Sequence, residues 1–141
     1  MMGPGWVLLV EDDENDVFFF EHAFRATGTA SSLRVARAGA EAIEALRAAD
    51  PLPRLVVLDI NLPAPNGLEI LAWIRSQSAL ALIPVVMFTA SAAERDVREA
   101  ARAGANSYVL KPGNLDTLAR EVKALVDYWL GTHHGPYTRV R

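Results

Sequence analysis

VVLDINLPAPNG, residues 56–67, sets an apolar run against one acid and a turn. Val56, Val57 and Leu58 continue Leu55 without polar alternation, the pattern of a strand buried on both faces. Asp59 ends the run. Pro63, Pro65 and the Asn66-Gly67 pair are strong turn signals, and Leu68–Arg75 then reads as a helix. A strand, a loop opened by a carboxylate and a helix make one βα unit.

The same unit recurs on both sides. Trp6–Val10 reads as a buried strand, followed by Glu11, Asp12, Asp13 and Glu14 and a helix from Asn15 to Thr27. Leu33–Arg37 is a weaker strand, and Ala40–Ala49 is helical up to Asp50-Pro51. Pro84–Phe88 is a strand ending at Thr89, and Ala92–Ala103 is a helix closed by Gly104. Ser107–Leu110 ends at Lys111-Pro112. Leu115–Leu130 is the last helix, with Leu115, Leu118, Val122, Leu125 and Trp129 as its expected buried stripe. Five such units predict an α/β fold: a doubly wound, five-stranded parallel sheet, flavodoxin-like, in the order 2-1-3-4-5. The domain is expected over residues 6–131, with residues 132–141 as a C-terminal tail.

The bulk composition agrees. The chain has 141 residues, 51% of them hydrophobic, enough for one domain with a full core. It has no cysteine, which excludes a disulfide framework, thiolate metal sites and thiol catalysis, and fits a cytoplasmic location. A net charge of −3 gives no footprint for nucleic acid. The most apolar stretch, Ala79 to Ala90, contains Pro84 and is too short to span a bilayer, and the first residues lack the basic start of a signal peptide.

In an open parallel sheet, ligands bind beyond the carboxyl ends of the strands. Glu11 and Asp12 follow the first strand, Asp59 the third, Thr89 the fourth and Lys111 the fifth. Three carboxylates, one hydroxyl and one ammonium thus meet on one rim. Clustered carboxylates repel unless a cation joins them, and oxygen-only ligands suit Mg²⁺. A lysine and a hydroxyl opposite a metal fit recognition of a phosphoryl group in transfer, with Asp59 as nucleophile forming an acyl phosphate.

These motifs resemble the receiver domain of two-component response regulators, the CheY-like fold. VLLVEDDE is similar to the family's first strand and acidic pair, and VVLDINLPAPNG to its phosphorylation loop. PVVMFTAS and SYVLKPG are similar to its fourth and fifth strands. The resemblance implies that Asp59 accepts a phosphoryl group from a histidine kinase. It implies that Glu11, Asp12, Asp59 and the Asn61 carbonyl hold Mg²⁺, and that Thr89 and Lys111 contact phosphoryl oxygens. It also implies that Tyr108 rotates with Thr89, and that the Lys111–Pro112 bond is cis. Glu11 stands where the family more often has Asp.

A stand-alone regulator is then expected, signalling by contact with a downstream protein or a phosphotransfer protein and assisting its own phosphorylation and dephosphorylation. EDDENDVFFFEHAF and the ending DYWL resemble the small regulators that partner bacterial phytochrome kinases. That likeness implies a homodimer through the fourth helix, fifth strand and fifth helix. Phe18, outside the apolar face made by Val17, Phe20, Ala23 and Phe24, is expected to point outward as a contact residue. Asp13, Glu14 and Asp16 are expected to serve as cap and dipole partners of the first helix. A haloacid-dehalogenase-type phosphatase would need a second Asp where Asn61 stands. An FMN-binding flavodoxin would need a phosphate loop where four acids stand.

Overall fold

Several helices begin where a short polar side chain can take up a free backbone N–H. Asp13 accepts from the Asp16 N–H at 2.9 Å, and Asn114 accepts from Thr117 at 2.8 Å. Asn66 and Glu69 form a reciprocal capping box. The α helix that precedes the last strand stops on Gly104, whose φ of +101° is costly for any residue with a Cβ. The computed structural model describes residues 5–136, and the remainder of the expected tail, residues 137–141, lies outside them.

Strands β1 (Trp6–Val10), β2 (Ser32–Ala36), β3 (Leu55–Leu58), β4 (Val85–Thr89) and β5 (Ser107–Leu110) alternate with helices. These are α1 (Glu14–Ala26), α2 (Gly39–Arg47), α3 (Gly67–Ser76), α4 (Glu94–Ala103) and α5 (Leu115–Val126). All ladders are parallel, in the order β2-β1-β3-β4-β5. That is the expected architecture. β1, β3 and β4 are buried along their whole length, and β2, at an edge, exposes Ser32 and Arg34.

Because strand side chains alternate, the sheet divides the core in two. Leu8, Val10, Val56, Leu58, Val85 and Met87 pack against α2, α3 and α4. Val7, Leu9, Leu55, Val57, Val86 and Phe88 pack against α1 and α5. Arg75 staples the first side. Its guanidinium donates to the carbonyls of Ala81, Ile83 and Gly104 and to Asn106 Oδ1, at 2.7–3.0 Å. These bonds tie α3 to the segments that lead into β4 and β5.

The C-terminal end departs from expectation. α5 stops at Val126 and continues as a π-helical turn over Asp127–Thr132. The Arg54 guanidinium takes the Leu130 carbonyl at 3.2 Å, and the His133 N–H takes the Tyr128 carbonyl at 2.6 Å. The His133 ring lies 4.7 Å from that of Trp129. These partners fix a wider turn than an α-helix makes. Leu115, expected in the buried stripe, is exposed, because it opens α5 at the rim rather than facing the sheet. Phe18 points outward as expected. No helix among the described residues is long and apolar enough to cross a membrane.

Candidate functional site

Backbone ladders run one residue beyond the strands, and the residues they catch are those the sequence marks as site candidates. The Glu11 N–H donates to Ala36 O at 3.0 Å, Asp59 N–H to Val10 O at 3.2 Å, and Lys111 N–H to Thr89 O at 2.9 Å. The sheet therefore sets the position of each Cα, and alternation sets the side-chain direction. Glu11, Asp59 and Lys111 fall on the α1/α5 side. Thr89 and Tyr108 fall on the α4 side, where Tyr108 packs on the core.

The Lys111 ammonium sits among carboxylates. Nζ lies 2.6 Å from Glu11 Oε1, 2.9 Å from Asp59 Oδ2 and 2.8 Å from Asp16 Oδ2. Glu11 and Asp59 are buried, while Asp12 is exposed. One carboxylate oxygen each from Glu11, Asp12 and Asp59 lies within 4.8 Å of the others. The free oxygens are bridled by backbone. Asp59 Oδ1 accepts from the Asn61 N–H at 3.1 Å, and Glu11 Oε2 accepts from the Asp13 N–H at 3.1 Å.

The electrostatics follow from this crowding. Burial pushes the Glu11 carboxyl up to about 7, with the Asp59 charge adding to the rise and the Lys111 hydrogen bond opposing it. Burial alone would lower Lys111, but its hydrogen bonds to Asp16, Glu11 and Asp59 prevail and hold it above the usual lysine range. Three carboxylates contact the one ammonium, and Asp12 lies beside two of them. That excess of hard oxygen donors fits a divalent cation.

Thr89 is wholly buried, and its Oγ1 accepts from the Ser91 N–H at 3.3 Å. The Tyr108 hydroxyl donates to the Ser91 carbonyl at 2.7 Å, and the Ser91 hydroxyl donates to Asp96 Oδ2 at 2.6 Å. Ser91 thus joins the two hydroxyls expected to act together. The sequence assigns Ser91 no role, although it closes the PVVMFTAS stretch.

The loop after Asp59 is closed by Gly67, whose N–H donates to Ile60 O at 3.1 Å. A Cβ on Gly67 would lie 2.1 Å from the Asp59 carbonyl oxygen, so only glycine lets α3 begin against the Asp59 backbone. Among the described residues the cis peptides are Asp50–Pro51 and Ala64–Pro65, and the Lys111–Pro112 bond is not one of them. The expected cis bond is thereby corrected: the three carboxylates aim the ammonium with that peptide trans. Asp13 caps α1 as expected, but Asp16 turns from the helix to Lys111. Asp16 also lines a cavity of about 390 Å³ with Phe19, Phe88, Pro112 and Leu115.

A family model described as the response regulator receiver domain matches residues 7–123. The probable methanogenesis regulatory protein FilR2 of Methanothrix harundinacea is 36% identical over 137 residues, covering 94% of this chain and 88% of that protein. The response regulator Rcp1 of Synechocystis is 34% identical over 134 residues, covering 92% and 91%. Its Mn²⁺-bound crystal structure matches with a TM-score of 0.86 at 33% identity, covering 94% of this chain and 99% of that one. The phosphorylated cyanobacterial phytochrome response regulator RcpA matches with a TM-score of 0.89 at 33% identity, covering 95% and 99%.

Proposed function

This chain belongs to the response regulator receiver family, and on that premise we propose that Asp59 is its phosphoryl acceptor. The observation that carries the reading is the Lys111–Asp59 contact at 2.9 Å, set in a buried rim of carboxylates. An Asp59 carboxylate oxygen attacks the phosphorus of a phosphohistidine on a histidine kinase. The new O–P bond forms as the P–N bond breaks, and the imidazole nitrogen leaves with the bonding pair and takes a proton from water. Lys111 carries the positive charge that faces the phosphoryl oxygens, and the Thr89 hydroxyl donates to one of them. Glu11, Asp12, Asp59 and the Asn61 carbonyl would hold Mg²⁺, which supplies neutralisation of phosphoryl charge. Tyr108 follows Thr89 through their shared tie to Ser91.

The chain's own residues complete this arrangement, so it assists its own phosphorylation and dephosphorylation. The receiver unit is taken as residues 6–131, acting in the cytoplasm through protein contacts and not through nucleic acid. Likeness to Rcp1 and RcpA supports a phytochrome-type kinase as donor. Exposed Phe18 on α1 supports docking of that kinase. A downstream target or phosphotransfer protein receives the signal. Exposed Tyr128 beside Leu130 supports a homodimer through α4, β5 and α5.

A small phosphodonor with Mg²⁺ should add one phosphoryl group, read as a mass increment of about 80 Da on an acyl phosphate. Asp59→Asn should abolish it. Unchanged labelling of that variant would remove the assignment.

A further inference from the structure

We propose that Asp16 is a positioning residue for Lys111, holding its ammonium at the rim while Glu11 and Asp59 are engaged elsewhere. The proposal rests on the phosphoryl-acceptor reading above. A lysine ammonium has three N–H donors, and here each has a carboxylate: Glu11, Asp59 and Asp16. Two of these partners belong to the proposed metal and phosphoryl chemistry. A cation shared by Glu11 and Asp59 competes with Lys111 for them, and a phosphoryl group on Asp59 changes the charge and shape of that partner. Asp16 takes no part in either event. Its contact at 2.8 Å comes from α1, beside a cavity that Asp16 and Lys111 line together with Phe19, Pro112 and Leu115.

The placement is built into the helix. Asp13 Oδ1 caps the Asp16 backbone N–H at 2.9 Å, which fixes the first turn of α1 and with it the Asp16 Cα. Lys111 is fixed in turn by its backbone bond to Thr89. Both ends of the contact are therefore anchored before it forms. Asp16 keeps its side chain partly in water, 42% exposed, so it holds the ammonium without the desolvation cost of another buried charge. Without Asp16, Lys111 would rest wholly on Glu11 and Asp59 and turn outward when they are drawn away.

Lys111 and Lys123 are the chain's lysines, and Lys123 lies exposed on α5, paired with Asp127. Amine acetylation of the unphosphorylated full chain in saturating Mg²⁺, which engages Glu11 and Asp59, followed by peptide mass spectrometry, reads Lys111 directly with Lys123 as internal control. Asp16→Ala should label Lys111 about fivefold faster than wild type, the size expected when a half-exposed charged hydrogen bond is lost. Asp16→Asn, which keeps an acceptor and the side-chain shape, should fall between them, and Lys123 should not change. Phosphorylation by a small donor with Mg²⁺ should slow in the same order, by up to about fivefold, because the ammonium is misplaced rather than absent. Equal Lys111 labelling in wild type, Asp16→Ala and Asp16→Asn would overturn the proposal. A wild type that no donor phosphorylates would overturn the acceptor reading instead, and the labelling, done with Mg²⁺ but no donor, keeps the two failures apart.

Discussion

Replacing Lys111 with Met keeps the length of the side chain and removes its charge. Glu11 and Asp59, both buried, then face each other and Asp12 with no cation between them. Breaking a buried ion pair from one side costs about 3–5 kcal/mol. Here the loss is limited, because Glu11 can take a proton. Its carboxyl is already raised from 4.5 to about 7, and loss of the lysine hydrogen bond raises it further. A carboxyl raised in this way stabilises the fold below its unfolded value of 4.5, and that contribution is lost as pH rises through about 7. The Met variant should therefore match wild type most closely in acid and fall behind as the solution becomes basic. We expect a deficit of about 3 kcal/mol at about pH 8 and about half of that at about pH 5.5. Saturating Mg²⁺ should close most of the gap, since binding only to the folded state stabilises it by mass action. Urea unfolding followed by circular dichroism, with and without Mg²⁺ at both pH values, measures each quantity. A variant as stable as wild type in metal-free basic buffer would refute the reasoning, as would a deficit that Mg²⁺ leaves unchanged.

Mg²⁺ affinity, measured by calorimetry, should rise with pH up to about 7 as Glu11 ionises, and Glu11→Gln should flatten that dependence. Arg75→Ala should cost about 3 kcal/mol in chemical unfolding, because it strips the donor from the carbonyls of buried Ile83 and half-buried Gly104; Asp59 phosphorylation by small donors should persist. Gly67→Ala should cost about 2 kcal/mol and slow phosphorylation at saturating donor, since the methyl group displaces the Asp59 backbone.

Most of the scaffold was legible because its central strands β1 and β3 are apolar throughout. A run such as LVVL, residues 55–58, has no face to leave in water, and that alone demands helices on both sides. Asp59, Thr89 and Lys111 stood at the ends of such runs, where the ladder fixes them. Asp16 was missed because it lies three residues past a strong cap, in a stretch where acids also suit the helix dipole. Counting strand alternation would have found it: Lys111 differs from Val109 by two, and Val109 shares the side of α1. The π turn was not legible, because its causes, Arg54 and His133, lie far from it in sequence or beyond its end. The peptide before Pro112 was misjudged for a similar reason: what aims Lys111 is a set of carboxylates brought together only by folding.

The division of the sheet into two sides makes strand length as much a part of the site as residue identity. Deleting Met87 from Val85–Thr89 would turn Thr89 toward α1 and send Phe88 to the opposite core, although Asp59, Thr89 and Lys111 would all still be present in the chain. A deletion in the loop between α3 and β4 would leave the alternation unbroken. Insertions and deletions should therefore survive between the elements and be purged within them, even where the altered strand stays fully apolar. A scan of single-residue deletions, scored for folding and for phosphorylation, should trace the five strands without reference to any side chain.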